Sequence, residues 1–266
     1  MIPYIQPIFV PNENAFNRNR DSIISFGEYI KKYECKVQCV FGGWAYNDEW
    51  WEKICEVIRE NISDDVLIEL IRYEKNFGKA YVVNDLYKKI KKLKFDFFLT
   101  TDSDIKFPLG APNLFAKLAK VGREFQKIVK KKFGFVALNQ LENNCHLTKR
   151  LNKVYNVGTQ KLVAAKQPGF IAGGCLFISK KAWEQVEGYR VTSVYGGQDG
   201  HLLIDIKKAG YECVMSPDIS IIHPGEKDKV LINFKPIMQK FKKKGNLDEM
   251  ITMVDKFWDK RNNKHD

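Results

Sequence analysis

The sequence predicts an α/β protein built on one mostly parallel β-sheet with helices on both faces, and three observations carry that expectation. Short apolar runs alternate with stretches of helical period from Tyr4 to Thr101, the pattern of strands joined by crossover helices. Glycine and polar signals stand where those runs end, at Asn12, Gly42-Gly43 and Asp102-Ser103-Asp104, and ligands in such sheets bind beyond the carboxyl ends of strands. Hydrophobic residues make up 44% and charged residues 29% of the 266, ordinary values for a folded chain and too apolar for extended disorder.

The elements follow in order. Tyr4 to Val10 reads as a buried strand ended by Pro11-Asn12. Ile23, Ile24, Phe26 and Ile30 predict a helix over Asp21 to Tyr33, before a second strand from Lys36 to Phe41 that Gly42-Gly43 breaks. Trp51, Ile54, Cys55 and Ile58 recur at i, i+3, i+4 and i+7, the period of an amphipathic helix, and a strand around Val66 to Arg72 follows. After Asn76-Phe77-Gly78, the positions Ala80, Val83, Tyr87 and Ile90 repeat that period, and Phe95 to Thr101 is the clearest strand in the chain. A helix is expected from Asn113 to Lys130 and a strand from Gly134 to Leu138. Gln140 to Gln167 is mixed and polar and reads as a loop-rich segment able to meet a second substrate. Cys175 to Ile178 and Asp218 to Ile222 read as short strands, and Trp183 as a core aromatic on the helix between them. Leu247, Met250, Ile251, Val254, Phe257 and Trp258 form one stripe on a terminal helix opened by Gly245-Asn246, a stripe that packs on the body of the protein.

Charge and cysteine usage narrow the setting. Lys and Arg number 44 against 32 Asp and Glu, a net charge of +12, which favours polyanions or anionic surfaces and ligands without naming one. Six cysteines are scattered with no C-x-x-C pair, which fits a reducing cytoplasm. No basic stretch followed by an apolar core opens the chain and no apolar run reaches a membrane span, so any membrane association is expected to be peripheral.

The chemistry concentrates at Asp102-Ser103-Asp104, at the end of the clearest strand. Two carboxylates at i and i+2 in extended backbone point to one side, and a small residue between them leaves room for a ligand. They could share one hard cation, Mn²⁺ or Mg²⁺, whose remaining oxygen positions suit a diphosphate. An Asx-type turn that merely ends the strand uses the same residues.

The order of the further signals decides between these readings. Asn76-Phe77-Gly78, Asn84, Asp102-Ser103-Asp104, Ala172-Gly173-Gly174, Gln198-Asp199 and His223 follow one another, and this ordered set resembles the inverting family 2 glycosyltransferases of the GT-A fold over about residues 4 to 225. The resemblance implies a catalytic domain over 1–230, with a nucleotide-binding half over 1–105 and an acceptor half over 106–230, and a C-terminal helical extension over 231–266. It implies transfer of a sugar from a nucleotide-diphosphate sugar, with a UDP-sugar expected, to a hydroxyl acceptor. A polyanionic acceptor such as modified DNA or a cell-surface glycan would suit the basic surface.

Carried over residue by residue, the resemblance makes Asp199 the catalytic base, and Asp102, Asp104 and His223 ligands of Mn²⁺ or Mg²⁺. Pro11, Asn12 and Gly42 would flank the nucleobase and ribose; Asn76, Lys79, Asp102 and Ser103 would meet nucleotide groups; Gly173, Gly174 and Tyr195 would approach the sugar or acceptor. The sequence departs from the family at Gly42, where an acid is usual, and at Gln198, where a second acid often precedes the base. Each position also has a plainer reading: Asp199 as a helix N-cap, His223 as a hydrogen-bonded strand end, Asn76-Phe77-Gly78 as a turn. Two other functions compete. A nucleotidyltransferase would share the sheet and an Asp pair, but such enzymes carry a glycine-rich basic loop after the first strand, where this chain has Val10-Pro11-Asn12-Glu13-Asn14. A nucleic-acid-binding module would explain the charge and none of the ordered acidic and glycine positions.

Overall fold

The computed structural model describes residues 1–110, 113–142, 151–165, 173–192, 194, 196–224 and 246–262. The strands are β1 (Ile2–Val10), β2 (Val37–Ala45), β3 (Leu67–Arg72), β4 (Phe97–Thr101), β5 (Lys132–Leu141), β6 (Leu151–Val157), β7 (Gln160–Ala165), β8 (Cys175–Ser179) and β9 (Tyr211–Ile222). The helices are α1 (Glu13–Lys32), α2 (Asp48–Asn61), α3 (Gly78–Ile90), α4 (Leu114–Val129), α5 (Lys180–Gln185), α6 (Gln198–Lys208) and α7 (Leu247–Asn262). The strands form one sheet in the order β3-β2-β1-β4-β8-β5-β9-β7-β6. Only β7 and β8 run against the rest, so the sheet is mixed and mostly parallel, as the alternation of runs predicts.

One side of the sheet is covered by α1, α2 and α4, through Ile23, Phe26, Ile54, Leu118 and Phe125. The other is covered by α3, α5 and α6, through Val83, Leu86, Trp183, Leu202 and Ile206. Trp183 is a core residue, 2% exposed. Central strands covered on both faces read as unbroken apolar runs, which is why β1 and β4 were legible.

Three sequence expectations need correction. Gly42-Gly43 does not end β2, which stays in register with β1 from Val37 to Ala45. The glycines serve close approach instead: a Cβ on Gly43 would lie 1.9 Å from the Ile8 carbonyl oxygen, and one on Gly42 would lie 2.8 Å from the Leu86 side chain. Helix α1 starts at Glu13 rather than Asp21, because Asn12 caps it, its Oδ1 accepting from the Ala15 N–H at 2.9 Å. Part of the expected loop over Gln140 to Gln167 is the hairpin β6–β7, turned at Gly158, where φ is +59°.

From β1 the chain moves outward to β2 and β3, then returns to place β4 on the other flank of β1. The carboxyl ends of β1 and β4 therefore border the switch point where open α/β sheets bind ligands. Helix α7 packs beside that end, its Met250, Ile251, Val254 and Trp258 buried with Trp44 and Val194. Asn246 caps α7 through the Glu249 N–H at 2.9 Å, and Asn262 Nδ2 donates to the Pro11 carbonyl at 3.1 Å. Among the described residues no helix is long and apolar enough to cross a membrane.

Candidate active site

A cavity of about 430 Å³ opens at the switch point. Phe9, Trp44, Phe77, Val82 and Val194 give it an apolar side; Arg18, Asn76, Lys79, Asp102, Asp104, Asp199 and His223 give it a polar one.

The acidic turn is held from below. Asp102 N–H donates to the Gly174 carbonyl at 2.7 Å, fixing the end of β4 against the start of β8. Gln6 Nε2 donates to the Ser103 carbonyl at 3.2 Å and to Ser22 Oγ at 3.0 Å, while Gln6 Oε1 accepts from the Tyr4 hydroxyl at 2.9 Å. Tyr4, Gln6 and Ser22 are wholly buried, and satisfied buried networks hold their members in one geometry.

Lys79 stands at the centre of the polar side. Its Nζ lies 2.7 Å from Asp102 Oδ1 and 3.1 Å from Asp199 Oδ1, and donates to the Gly173 carbonyl at 2.9 Å. Burial works against the ammonium charge, but Asp102 and Asp199 outweigh it and hold the Lys79 pKa well above its ordinary value. The loop that carries Lys79 requires its glycine: Gly78 has φ +78°, and a Cβ there would lie 2.3 Å from the Val194 carbonyl oxygen. Asn76 Oδ1 accepts from the Gly78 N–H at 3.1 Å. Its buried Nδ2 has no partner among the described residues.

Asp199 is the second residue of α6, behind Gly197 at the N-cap with φ +83°. Its carboxylate faces the cavity instead of capping the helix. The Tyr189 hydroxyl donates to Asp199 Oδ1 at 3.0 Å, so that oxygen has two donors, Lys79 and Tyr189. Oδ2 has no partner among the described residues. Asn84 grips the Tyr189 backbone from α3, its Oδ1 accepting from Tyr189 N–H at 2.9 Å and its Nδ2 donating to Tyr189 O at 2.8 Å. A Cβ on Gly173 would lie 1.8 Å from Asp199 Cγ, so glycine there is what admits the carboxylate.

On the far wall, paired bonds between Lys106 and Ile222, at 2.8 and 2.9 Å, bring the end of β9 against the chain just past Asp104. His223 Nε2 lies 3.3 Å from Asp104 Oδ1, and Arg18 Nη1 lies 3.8 Å from Asp104 Oδ2. His223 Nδ1 is 2.8 Å from Gln140 Oε1, and a Cβ on Gly174 would intrude 2.7 Å from Gln140 Nε2. Burial would raise the Asp104 carboxyl, but His223 and Arg18 hold it below its ordinary value. Burial likewise opposes the His223 charge, but Asp104 draws the imidazole pKa above its ordinary value.

The structure thus gathers Asn76, Lys79, Asp102, Ser103, Asp104, Asp199 and His223 around one cavity, with Gly173 and Gly174 behind them. Pro11, Asn12 and Gly42 stand elsewhere. Asn12 caps α1, Pro11 receives α7, and Gly42 lies inside the sheet, so Trp44 rather than Gly42 presents β2 to the cavity. Tyr195 lies outside the described residues. Sequence reasoning missed Arg18, Tyr189 and Gln140 as members of the site. Arg18 and Gln140 stood in polar stretches without a motif, and Tyr189 carried no signal beyond its place in the run that the resemblance covers.

Asp102, Asp104 and His223 do not fit a three-ligand metal centre as they stand. Asp104 and His223 meet, but Asp102 is engaged by Lys79, and among the described residues no group of three or more His, Cys, Asp and Glu is arranged to hold an ion.

No protein-family model matches the chain, and no curated protein matches it. Solved structures do. Residues 1–349 of S. aureus TarS superpose with a TM-score of 0.56 at 11% identity, over 87% of this chain and 62% of that one. GalNAc-T7, crystallised with UDP, GalNAc and Mn²⁺, superposes with a TM-score of 0.57 at 11% identity, over 85% of this chain and 44% of that one. The chain therefore spans less than two thirds of either protein, and at such identity the likeness is one of fold. With its mixed, mostly parallel sheet, its helices on both faces and its cavity at the β1–β4 switch point, the chain has the GT-A fold.

Proposed function

We propose that the chain is an inverting glycosyltransferase that moves a sugar from a nucleotide-diphosphate sugar, a UDP-sugar by expectation, to a hydroxyl acceptor. The observation that carries this reading is the state of Asp199. One carboxylate oxygen is fixed by Lys79 and Tyr189, and the other is left without a partner among the described residues on the cavity wall. A base so held has one free oxygen to take the acceptor's proton. The acceptor oxygen then forms its bond to the anomeric carbon as the bond to the diphosphate breaks, and the electron pair leaves with the diphosphate. A single displacement inverts the anomeric carbon.

The remaining wall suits the donor. Lys79 and Arg18 are the cations that face the leaving diphosphate. Trp44, Phe77 and Val194 offer an apolar face to a nucleobase, with the Asn76 Nδ2 donor at its edge. A divalent cation remains a proposal: GalNAc-T7 was crystallised with Mn²⁺, but Asp102 would have to exchange Lys79 for Mn²⁺ or Mg²⁺ to complete a site with Asp104 and His223. Residues 1–230 are proposed as the catalytic unit, 231–266 as its helical extension, and the cytoplasm as its compartment. A polyanion, modified DNA or a cell-surface glycan, is proposed as acceptor.

Hydrolysis of UDP-sugars, with water standing in for the acceptor, tests the reading. Asp199→Asn should lower turnover by about a hundred to ten thousandfold while calorimetric UDP binding survives. Asp102→Ala should weaken UDP binding itself. Near-normal turnover in Asp199→Asn, or a product that retains the anomeric configuration by proton NMR, would overturn the assignment.

A further inference from the structure

The end of the sheet opposite the cavity carries an unusual charge. The segments 91–96, 127–132, 180–181 and 207–212 lead into β4, β5 and β9 or follow β8, four adjacent strands, so they lie side by side over about 15 Å. They contain eleven lysines against two acids, Asp96 and Glu212. Glu212 is buried and already held by Lys131 at 2.6 Å.

Lys91, Lys92, Lys94, Lys127, Lys130, Lys181 and Lys208 are exposed and have no acidic partner within 4.0 Å among the described residues. Elsewhere some exposed cations are paired, as Lys53 with Glu49, Arg72 with Asp48 and Arg190 with Asp205, and others, as Lys75, Lys161 and Lys256, have no acidic partner among the described residues, so the clustering of lysines is what sets this end apart. Helix stability does not account for the whole cluster. A helix dipole favours cations in a last turn, which covers Lys127, Lys207 and Lys208. The same holds for Lys91 and Lys130, the C-caps of α3 and α4, but Lys92, Lys94, Lys131 and Lys132 lie past the helix ends, and Lys180 and Lys181 open α5, where the dipole disfavours them.

Apolar side chains stand among these lysines. Ile128, 48% exposed, lies between Lys127 and Lys130. Met1, 50% exposed, precedes β1, which pairs with β4, and Leu109, 37% exposed, accepts at its carbonyl from Lys32 Nζ at 2.6 Å near the end of α1. A recess of about 520 Å³ opens beside Met1, where Lys36, Lys94 and Arg123 outnumber Glu34 and Asp96.

We propose that this end of the molecule docks on a bilayer of anionic lipids, with the lysines over the headgroups and Ile128, Met1 and Leu109 entering the interface. Long lysine stems keep their charge at a headgroup layer while apolar neighbours sink below it. A nucleic acid is the poorer match. Apart from Arg123 in the recess the cations of this end are lysines, and neither aromatic of these segments is fully exposed to stack on bases: Phe95 is buried and Tyr211 half-buried. The nine residues of β1 separate the two ends by about 30 Å, so the cavity opens away from the bilayer and receives its acceptor from the aqueous side.

Sedimentation of the full chain with vesicles tests this. The chain should pellet with phosphatidylcholine–phosphatidylserine vesicles and not with phosphatidylcholine alone. The triple variant Lys91→Ser, Lys92→Ser, Lys94→Ser should bind on the order of a hundredfold more weakly, about fivefold per lysine. Ile128→Ser should weaken binding with its melting temperature unchanged, and the triple variant Lys53→Ser, Lys256→Ser, Lys260→Ser, equal in charge and placed on α2 and α7, should bind like the parent. Equal binding to neutral and anionic vesicles, equal loss in the two triple variants, or tighter capture by duplex DNA than by anionic vesicles at matched phosphate would overturn the proposal.

Discussion

Lys79→Met removes the cation around which the polar wall is organised. Its Nζ lies 2.7 Å from Asp102 Oδ1 and 3.1 Å from Asp199 Oδ1, so the two carboxylate oxygens lie within about 6 Å of each other. At an effective dielectric constant of about 20, two unit charges at that separation repel by about 3 kcal/mol. The Asp102 and Asp199 side chains are 30% and 31% exposed, so water recovers part of this, and a net loss of about 2 kcal/mol follows. In a chain of this size that is a fall in Tm of about 4–8 °C. Thermal melts followed by circular dichroism measure it. Mn²⁺ should raise the Tm of Lys79→Met more than that of the parent, because the variant offers an ion two unpaired carboxylates. In EDTA, UDP should still bind the parent, through Lys79, and bind Lys79→Met more weakly. A Tm within a degree of the parent, together with unchanged UDP affinity in EDTA, would refute the view that Lys79 is the counter-cation of this site.

Gly173→Ala places a Cβ 1.8 Å from the present position of Asp199 Cγ, so the carboxylate must move; turnover should fall about as far as in Asp199→Asn while calorimetric UDP binding is kept. Glu212 supplies a pH test. Burial would raise its carboxyl, but Lys131 and the Tyr155 hydroxyl hold it below its ordinary 4.5. A depressed carboxyl stabilises the fold above its unfolded value, and that contribution is lost as pH falls through the folded one. The Tm gap between parent and Glu212→Gln, present at pH 7, should therefore close as the solution is acidified below about pH 4.5; a gap constant with pH would count against it.

The sheet was legible because its central strands are covered on both faces and so read as unbroken apolar runs, as in Phe97 to Thr101. The start of α1 was not, since its first two turns offer only Ala15 and Phe16 among polar residues and its signal is a cap, Asn12, which in sequence looks like any loop asparagine. Gly42-Gly43 misled for a related reason. Glycine marks both a chain break and a close approach inside a sheet, and only the Ile8 carbonyl opposite Gly43 decides between them. The site was legible where chemistry and backbone coincide, at Asp102, Asp104, Asp199 and the glycines that admit them. It was illegible where a residue acts through its position alone: Tyr189 reaches Asp199 because Asn84, on α3 and far away in sequence, fixes its backbone.

The acid missing after the second strand follows from the same geometry. β2 runs three residues past Gly42, to Ala45, so the position at which the resemblance expects a polar contact lies inside the sheet and carries no side chain. The cavity meets Trp44 instead, and Trp44 is covered by α7, whose Met250, Ile251, Val254 and Trp258 complete the cluster. Burying such side chains stabilises by about 1.5–3 kcal/mol each before the ordering cost, so α7 is held by its apolar stripe and by the Asn262–Pro11 bond. The same cluster contains Val194, whose carbonyl oxygen lies where a side chain on Gly78 would stand. Helix α7 therefore braces the loop that leads into Asp199 against the loop that carries Lys79. The two groups that share Asp199 Oδ1 are positioned from the chain's own interior, Tyr189 by α3 and Lys79 by the Gly78 turn, and the C-terminal helix closes the wall behind them.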